Sequence, residues 1–104
     1  MKHVAFKMQL YPGFEAEYKK RHDEIWPELK ALLTASGIRN YHIYLDEATG
    51  ALFATMEVAD QNTIDDNKNY PIMKRWWDYM SDIMESNLDK SPVVTPLREV
   101  FYLP

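Results

Sequence analysis

Ile38-Arg39-Asn40-Tyr41-His42-Ile43-Tyr44-Leu45-Asp46-Glu47-Ala48-Thr49-Gly50-Ala51-Leu52-Phe53-Ala54-Thr55-Met56-Glu57-Val58 is the stretch from which the architecture follows. Two alternating runs flank a short polar connection ending in glycine, which is the pattern of a β-hairpin. In the first run Tyr41, Ile43 and Leu45 share one face, and Asn40, His42 and Tyr44 the other. In the second, Leu52, Ala54, Met56 and Val58 oppose Phe53, Thr55 and Glu57. What lies on either side of this hairpin sets the order of elements.

On its N-terminal side, Phe14 to Ser36 is helical. At 3.6 residues per turn, Phe14, Tyr18, His22, Ile25, Leu29, Leu32 and Leu33 form one stripe. Pro27 lacks a backbone donor and crowds the carbonyl four residues earlier, so the helix should bend or restart at Trp26. Gly37 sits where a helix C-terminus ends. Before the helix, His3 to Leu10 alternates as a strand, with Val4, Phe6, Met8 and Leu10 together, and Tyr11-Pro12-Gly13 makes the turn.

On the C-terminal side, Asp60 to Asn69 is polar and weakly patterned, suiting a short helix or loop. Pro71 then opens a helix in which Ile72, Trp76, Met80 and Ile83 form one stripe, with Met73, Trp77 and Met84 beside it. Asn87 to Pro96 reads as a loop, and Leu97 to Leu103 as a final strand. Strand, helix, strand, strand, helix, strand is the split βαβ, or ferredoxin-like, α+β arrangement. Two helices cover one face of such a sheet. Side chains such as Tyr44, Phe53 and Phe101 are left for the other, so a face-to-face homodimer is expected.

The 104 residues suit a single domain, residues 1–104, and 46% hydrophobic content supplies a core. A net charge of −4 argues against a nucleic-acid or anionic-membrane binder, and Lys19-Lys20-Arg21 reads as a solvated helix face. The absence of cysteine excludes disulfides, thiolate metal sites and cysteine nucleophiles. The first residues have no apolar signal-type core and no run approaches membrane-spanning length, so a cytoplasmic protein is expected.

His3, His22 and His42 show no metal-ligand spacing, so no metal is expected. No glycine-rich phosphate loop or nucleophile elbow occurs. Acid–base chemistry or simple binding remains, and histidine is the natural proton carrier near neutral pH. His22 lies in the apolar stripe one turn from the Tyr18 hydroxyl. That spacing suits a buried polar site, and equally a core histidine satisfied by backbone or by Tyr18. Trp76 and Trp77, about a quarter-turn apart, cannot both be central in one stripe, so at least one should line a boundary or cavity. An indole face beside polar groups suits a sugar ring, with Tyr18, Tyr41 and Asn40 available around the rim. Core packing, and for Tyr41 an ordinary strand position, would account for the same residues.

Five segments are similar to the L-rhamnose mutarotase family of the dimeric α/β-barrel group. They are Tyr18-x-x-Arg21-His22-x-x-Ile25-Trp26-Pro27-Glu28-Leu29, Asn40-Tyr41-x-Ile43-Tyr44-Leu45-Asp46, Leu52-Phe53-Ala54, Arg75-Trp76-Trp77-x-Tyr79-Met80 and Glu99-Val100-Phe101-Tyr102-Leu103-Pro104. Together they span almost the whole chain. The resemblance implies interconversion of the α and β anomers of L-rhamnose in rhamnose metabolism. His22 would be the proton donor, and Tyr18, Tyr41, Trp76 and Trp77 would contact the substrate. Asp60 to Lys74 departs most from the family pattern. No oxidation state changes in such a reaction, so no cofactor is expected. Alternatives on the same fold are a cofactor-independent monooxygenase, a haem-degrading enzyme, and a non-catalytic ligand-binding module.

Overall fold

The computed structural model describes residues 1–104. Four strands, β1 (Lys2–Gln9), β2 (Ile38–Leu45), β3 (Ala51–Val58) and β4 (Thr95–Leu97), form one sheet in the order β2-β3-β1-β4. Every neighbouring pair is antiparallel, as the ferredoxin-like order requires. Helices α1 (Glu15–Asp23), α2 (Pro27–Ala35) and α3 (Pro71–Met80) carry the chain between strands, with a 3-10 helix at Ile64–Asn69.

Strand register identifies the face that packs on the helices. Met8 pairs with Leu52 and Phe6 with Ala54 across β1 and β3, while Ile43 pairs with Ala54 and Leu45 with Leu52 across β2 and β3. Leu52 and Ala54 are sealed between these neighbours, and α2 and α3 close over them with Leu29, Ile72, Trp76 and Met80. Each large apolar side chain buried there contributes roughly 1.5–3 kcal/mol. The opposite alternation, including Tyr44 paired with Phe53, faces away from the helices.

Pro27 breaks the first helical region as expected. Trp26 is extended, with φ −62° and ψ 130°, and Pro27 takes the first turn of α2, where a missing N–H costs nothing. Phe14, placed on the apolar stripe by its spacing, instead precedes α1 as its exposed N-terminal cap. The Asp60–Asn69 segment is ordered by hydrogen bonds that its composition does not reveal. The Thr63 N–H donates to the Ser36 carbonyl at 3.0 Å, the Ala59 N–H to the Gly37 carbonyl at 2.9 Å, and the buried Asn67 amide to the Ser36 hydroxyl at 3.1 Å. A side chain at Gly37, where φ is +107°, would meet the Asn62 Cβ at 3.0 Å.

Two strand and helix ends differ from the expected ones. α3 stops at Met80, although Ile83 and Met84 stay buried beyond it, where Met84 bridges to Leu10. The last strand is Thr95–Leu97 rather than Leu97–Leu103, because Ala5 pairs with Leu97 and Lys7 with Thr95. Continuing that register would put Phe101 opposite Met1, leaving the final residues without a partner. Phe101 is therefore on an exposed, irregular tail and not on the sheet face.

Candidate active site

One cleft of about 1000 Å³ opens between the sheet and helices α1 and α3, and Tyr18, His22, Tyr41, Trp76 and Trp77 all line it. Three elements bring them there: α1 carries Tyr18 and His22, β2 carries Tyr41, and α3 carries Trp76 and Trp77.

Tyr18 and His22 are one helical turn apart on α1, and their rings stack at 4.3 Å with a 30° interplanar angle. The Trp76 ring stands nearly perpendicular to the imidazole, with centroids 5.4 Å apart and an interplanar angle of 85°. His22 Nδ1–H donates to the Tyr18 carbonyl at 3.1 Å, which fixes the neutral tautomer and leaves Nε2 as an acceptor. Burial holds the imidazole below its ordinary pKa of 6.5, only partly offset by that hydrogen bond and by Asp23. At neutral pH His22 is thus a neutral ring with a free Nε2 lone pair.

Tyr41 owes its place to a β-bulge. Ile38 and Ile43 are an odd number of residues apart, which a regular strand would put on opposite faces, yet Ile38 pairs with Val58 and Ile43 with Ala54 on the same one. The register shift between Arg39 and His42 absorbs one extra residue. Asn40 takes φ +49°, a conformation asparagine tolerates, and its amide donates to Glu57 Oε2 at 2.8 Å. Tyr41 then turns toward the cleft, edge-on to Phe6 at 6.3 Å. Although 38% of the residue is exposed, burial of its phenolic end pushes the hydroxyl up to about 12. The Tyr18 phenol is pushed up further, by burial and then by repulsion from the Tyr41 phenolate, so the two hydroxyls are near each other. Both stay protonated and can donate hydrogen bonds throughout the neutral range.

Trp76 is buried against His22 and Trp26, whereas Trp77 is half-buried and packs on the edge of the core. Five polar groups on these walls form no hydrogen bond within the protein: His22 Nε2, the Tyr18 and Tyr41 hydroxyls and the indole N–H groups of Trp76 and Trp77. Those of His22, Tyr18, Trp76 and Trp77 keep contact with solvent. They are donors and an acceptor set among aromatic surfaces, which is what a hydroxyl-rich ring of carbon requires. The structure places no three His, Asp or Glu side chains where they would hold a metal ion.

Two residues near the cleft carry more weight than their sequence context suggests. Trp26 stacks on Tyr79 at 5.4 Å and meets Trp76 edge-on at 5.1 Å, backing the site from behind. Its position before a proline is the only sequence signal that it leaves the helix. Arg21, read as part of a solvated basic face, has a side chain only 10% exposed and bonded to the end of α3. Lys19 and Lys20 are exposed as that reading requires.

Comparison with known proteins bears on what this cleft holds. The family model described as L-rhamnose mutarotase matches residues 3–103. An L-rhamnose mutarotase of Bacteroides thetaiotaomicron is 54% identical over 103 residues, 99% of each chain, and one of Listeria monocytogenes is 53% identical with the same coverage. The crystal structure of an L-rhamnose mutarotase from Formosa agariphila superposes with a TM-score of 0.93 at 48% identity, covering all of both chains. A Mycobacterium tuberculosis protein, 14% identical, superposes with a TM-score of 0.60 over 98% of this chain and 97% of its own, and shares the fold alone. A matching family model over nearly the whole length, with relatives at half identity and a cleft built from the aromatic residues and histidine that the sequence singled out, makes this chain a member of the L-rhamnose mutarotase family.

Proposed function

We propose that the protein interconverts the α and β anomers of L-rhamnose, with His22 moving the proton and Tyr18, Tyr41, Trp76 and Trp77 holding the sugar. The observation carrying this is His22 itself: Nδ1 tied to the Tyr18 carbonyl, Nε2 unpartnered at the cleft wall, and the ring packed against both Tyr18 and Trp76.

The neutral Nε2 takes the proton of the anomeric hydroxyl as the bond between the anomeric carbon and the ring oxygen breaks. This gives an aldehyde and an alkoxide at the former ring oxygen. The imidazolium formed in that step delivers its proton to the alkoxide, so His22 is the proton donor to the ring oxygen in the second half. Rotation about the bond between the first two carbons presents the other aldehyde face, and the same steps in reverse close the ring. Both oxygens are attached to one carbon, so one nitrogen reaches both. Phenols that stay protonated stabilise the developing alkoxide by hydrogen bonding, and the two indoles pack on the sugar's C–H surface.

Saturation transfer between the α and β anomeric protons of L-rhamnose tests this. Exchange should be fast with the wild type and at background with a folded His22→Ala variant. Exchange by both proteins would move proton transfer to another residue, and none by either would overturn the activity.

The same proposal includes a homodimer formed through the uncovered sheet face, where Tyr44 is 61% and Leu97 39% exposed, next to a tail whose Phe101 is 78% exposed. Sedimentation should give twice the chain mass, and a monomer at micromolar concentration would refute it. No helix is long and apolar enough to cross a membrane. We place the enzyme in the cytoplasm, and fractionation with the activity in the medium would contradict that.

A further inference from the structure

Helix α1, which carries His22, buries only Tyr18 fully. With so little apolar surface of its own, its position against α3 depends on polar contacts, and Arg21 supplies them. Arg21 Nη1 donates to the Tyr79 carbonyl at 2.7 Å and to Asp82 Oδ1 at 2.9 Å, while Nη2 reaches Asp82 Oδ2 at 3.4 Å. The Tyr79 carbonyl belongs to the last turn of α3, where carbonyls have no helical partner, and α3 has no basic residue of its own in that turn. The guanidinium also lies 4.2 Å from the centroid of the Tyr79 ring.

From Tyr79 the contacts close into a loop. Its ring stacks on Trp26, Trp26 meets Trp76, and Trp76 meets the imidazole of His22, the residue next to Arg21. Both ends of this loop lie on α1. The indole that flanks His22 and the backbone that carries it are thereby locked to one another through Arg21.

We propose that Arg21 is a positioning residue for the reaction: its fork onto Tyr79 and Asp82 holds the His22 ring against Trp76 at the cleft wall. This rests on the mutarotase reading for its kinetic consequence but not for its structural one. Its planar, multiply bonded head cannot be replaced by an ammonium, so lysine should rescue only part of the effect.

The experiment uses Arg21→Gln, Arg21→Lys and Asp82→Asn in the full chain. It measures anomeric exchange of L-rhamnose over a range of sugar concentrations and the chemical shift of the His22 Hε1 proton, which the Tyr18 and Trp76 rings displace. Asp82 is exposed, so its variant keeps the fold even where Arg21→Gln does not. The expected result for Arg21→Gln is a kcat lowered about tenfold with KM within about twofold, and a Hε1 signal moved toward that of a free histidine. Arg21→Lys and Asp82→Asn should show the same changes in smaller measure. Folded variants with unchanged kcat, a rise in KM alone, or a lowered kcat with an unmoved Hε1 signal would each overturn the proposal. If the wild type itself showed no exchange, the mutarotase reading would fail, while the Hε1 signal would still decide whether Arg21 fixes the ring.

Discussion

Acidification should switch the catalyst off through His22. Burial places its pKa below the ordinary 6.5, so at pH 7 the neutral ring that starts the reaction predominates. Turnover at saturating sugar should rise through that pKa and level off near neutrality, and each pH unit below it should remove about tenfold. Saturation transfer from roughly pH 4.5 to 8, with the enzyme-free rate subtracted at each point, measures the profile. His22→Ala should lose ~10²–10⁴-fold on the plateau, the usual contribution of a positioned acid or base. Stability follows the same sign. Because the folded pKa is depressed, the contribution of His22 is complete above the unfolded value of 6.5 and is lost as pH falls through the folded value. The melting advantage of wild type over His22→Gln should therefore shrink in acid. A turnover that climbs as pH falls below 6.5 would mean that the imidazolium starts the reaction. A profile with no acid limb anywhere in this range that also runs level with that of His22→Ala would mean that His22 carries no proton. Either result refutes the reasoning.

Three further outcomes follow from the geometry. Trp76→Phe keeps an aromatic wall but deletes an N–H, so KM should rise roughly 2–12-fold, the equivalent of one neutral hydrogen bond of ~0.5–1.5 kcal/mol; an unchanged KM would remove that N–H from substrate recognition. Asn40→Gly should keep the bulge and the activity, whereas Asn40→Val, forced to φ +49°, should lower stability by ~1–2 kcal/mol and raise KM by displacing Tyr41, and equal melting of the two variants would show the bulge to be unstrained. Gly50→Ala combines φ +78° with a Cβ 2.9 Å from the Leu10 carbonyl, which cannot move because the Leu10 N–H is bonded to Gly50. About 2 kcal/mol or more, at ~4–8 °C per kcal/mol, should lower its thermal midpoint by roughly 10 °C without changing kcat of the folded enzyme.

What the sequence made legible is what repeats locally. Period-two runs gave three strands nearly to the residue, and the helical stripe placed Tyr18 and His22 side by side because an i,i+4 relation needs no knowledge of the rest of the chain. Pro27 announced its own break. Contacts between distant segments left no such trace. Arg21 looks like any other cation in a basic triplet until the end of α3, some sixty residues on, supplies Tyr79 and Asp82. β4 lies earlier than the apolar residues of the tail suggest, because strand limits depend on how much of β1 remains to pair with, and the tail's composition does not carry that information. The Asn40 bulge was invisible as such. The alternation from Tyr41 to Leu45 nevertheless keeps the phase its pattern shows, because the extra residue lies at its start.

The break at Pro27 has a consequence for thermal behaviour. It leaves the histidine on a nine-residue helix, shorter than the ~12–15 residues at which a helix persists by itself in water. With one fully buried side chain, α1 can detach while β1, β3 and α2 stay folded, at a free energy below that of global unfolding. Its amides should exchange with deuterium well before those of β3. Turnover should then fade on warming before the cooperative melt begins, so the working temperature of this catalyst is set by the docking of nine residues rather than by the strength of its core.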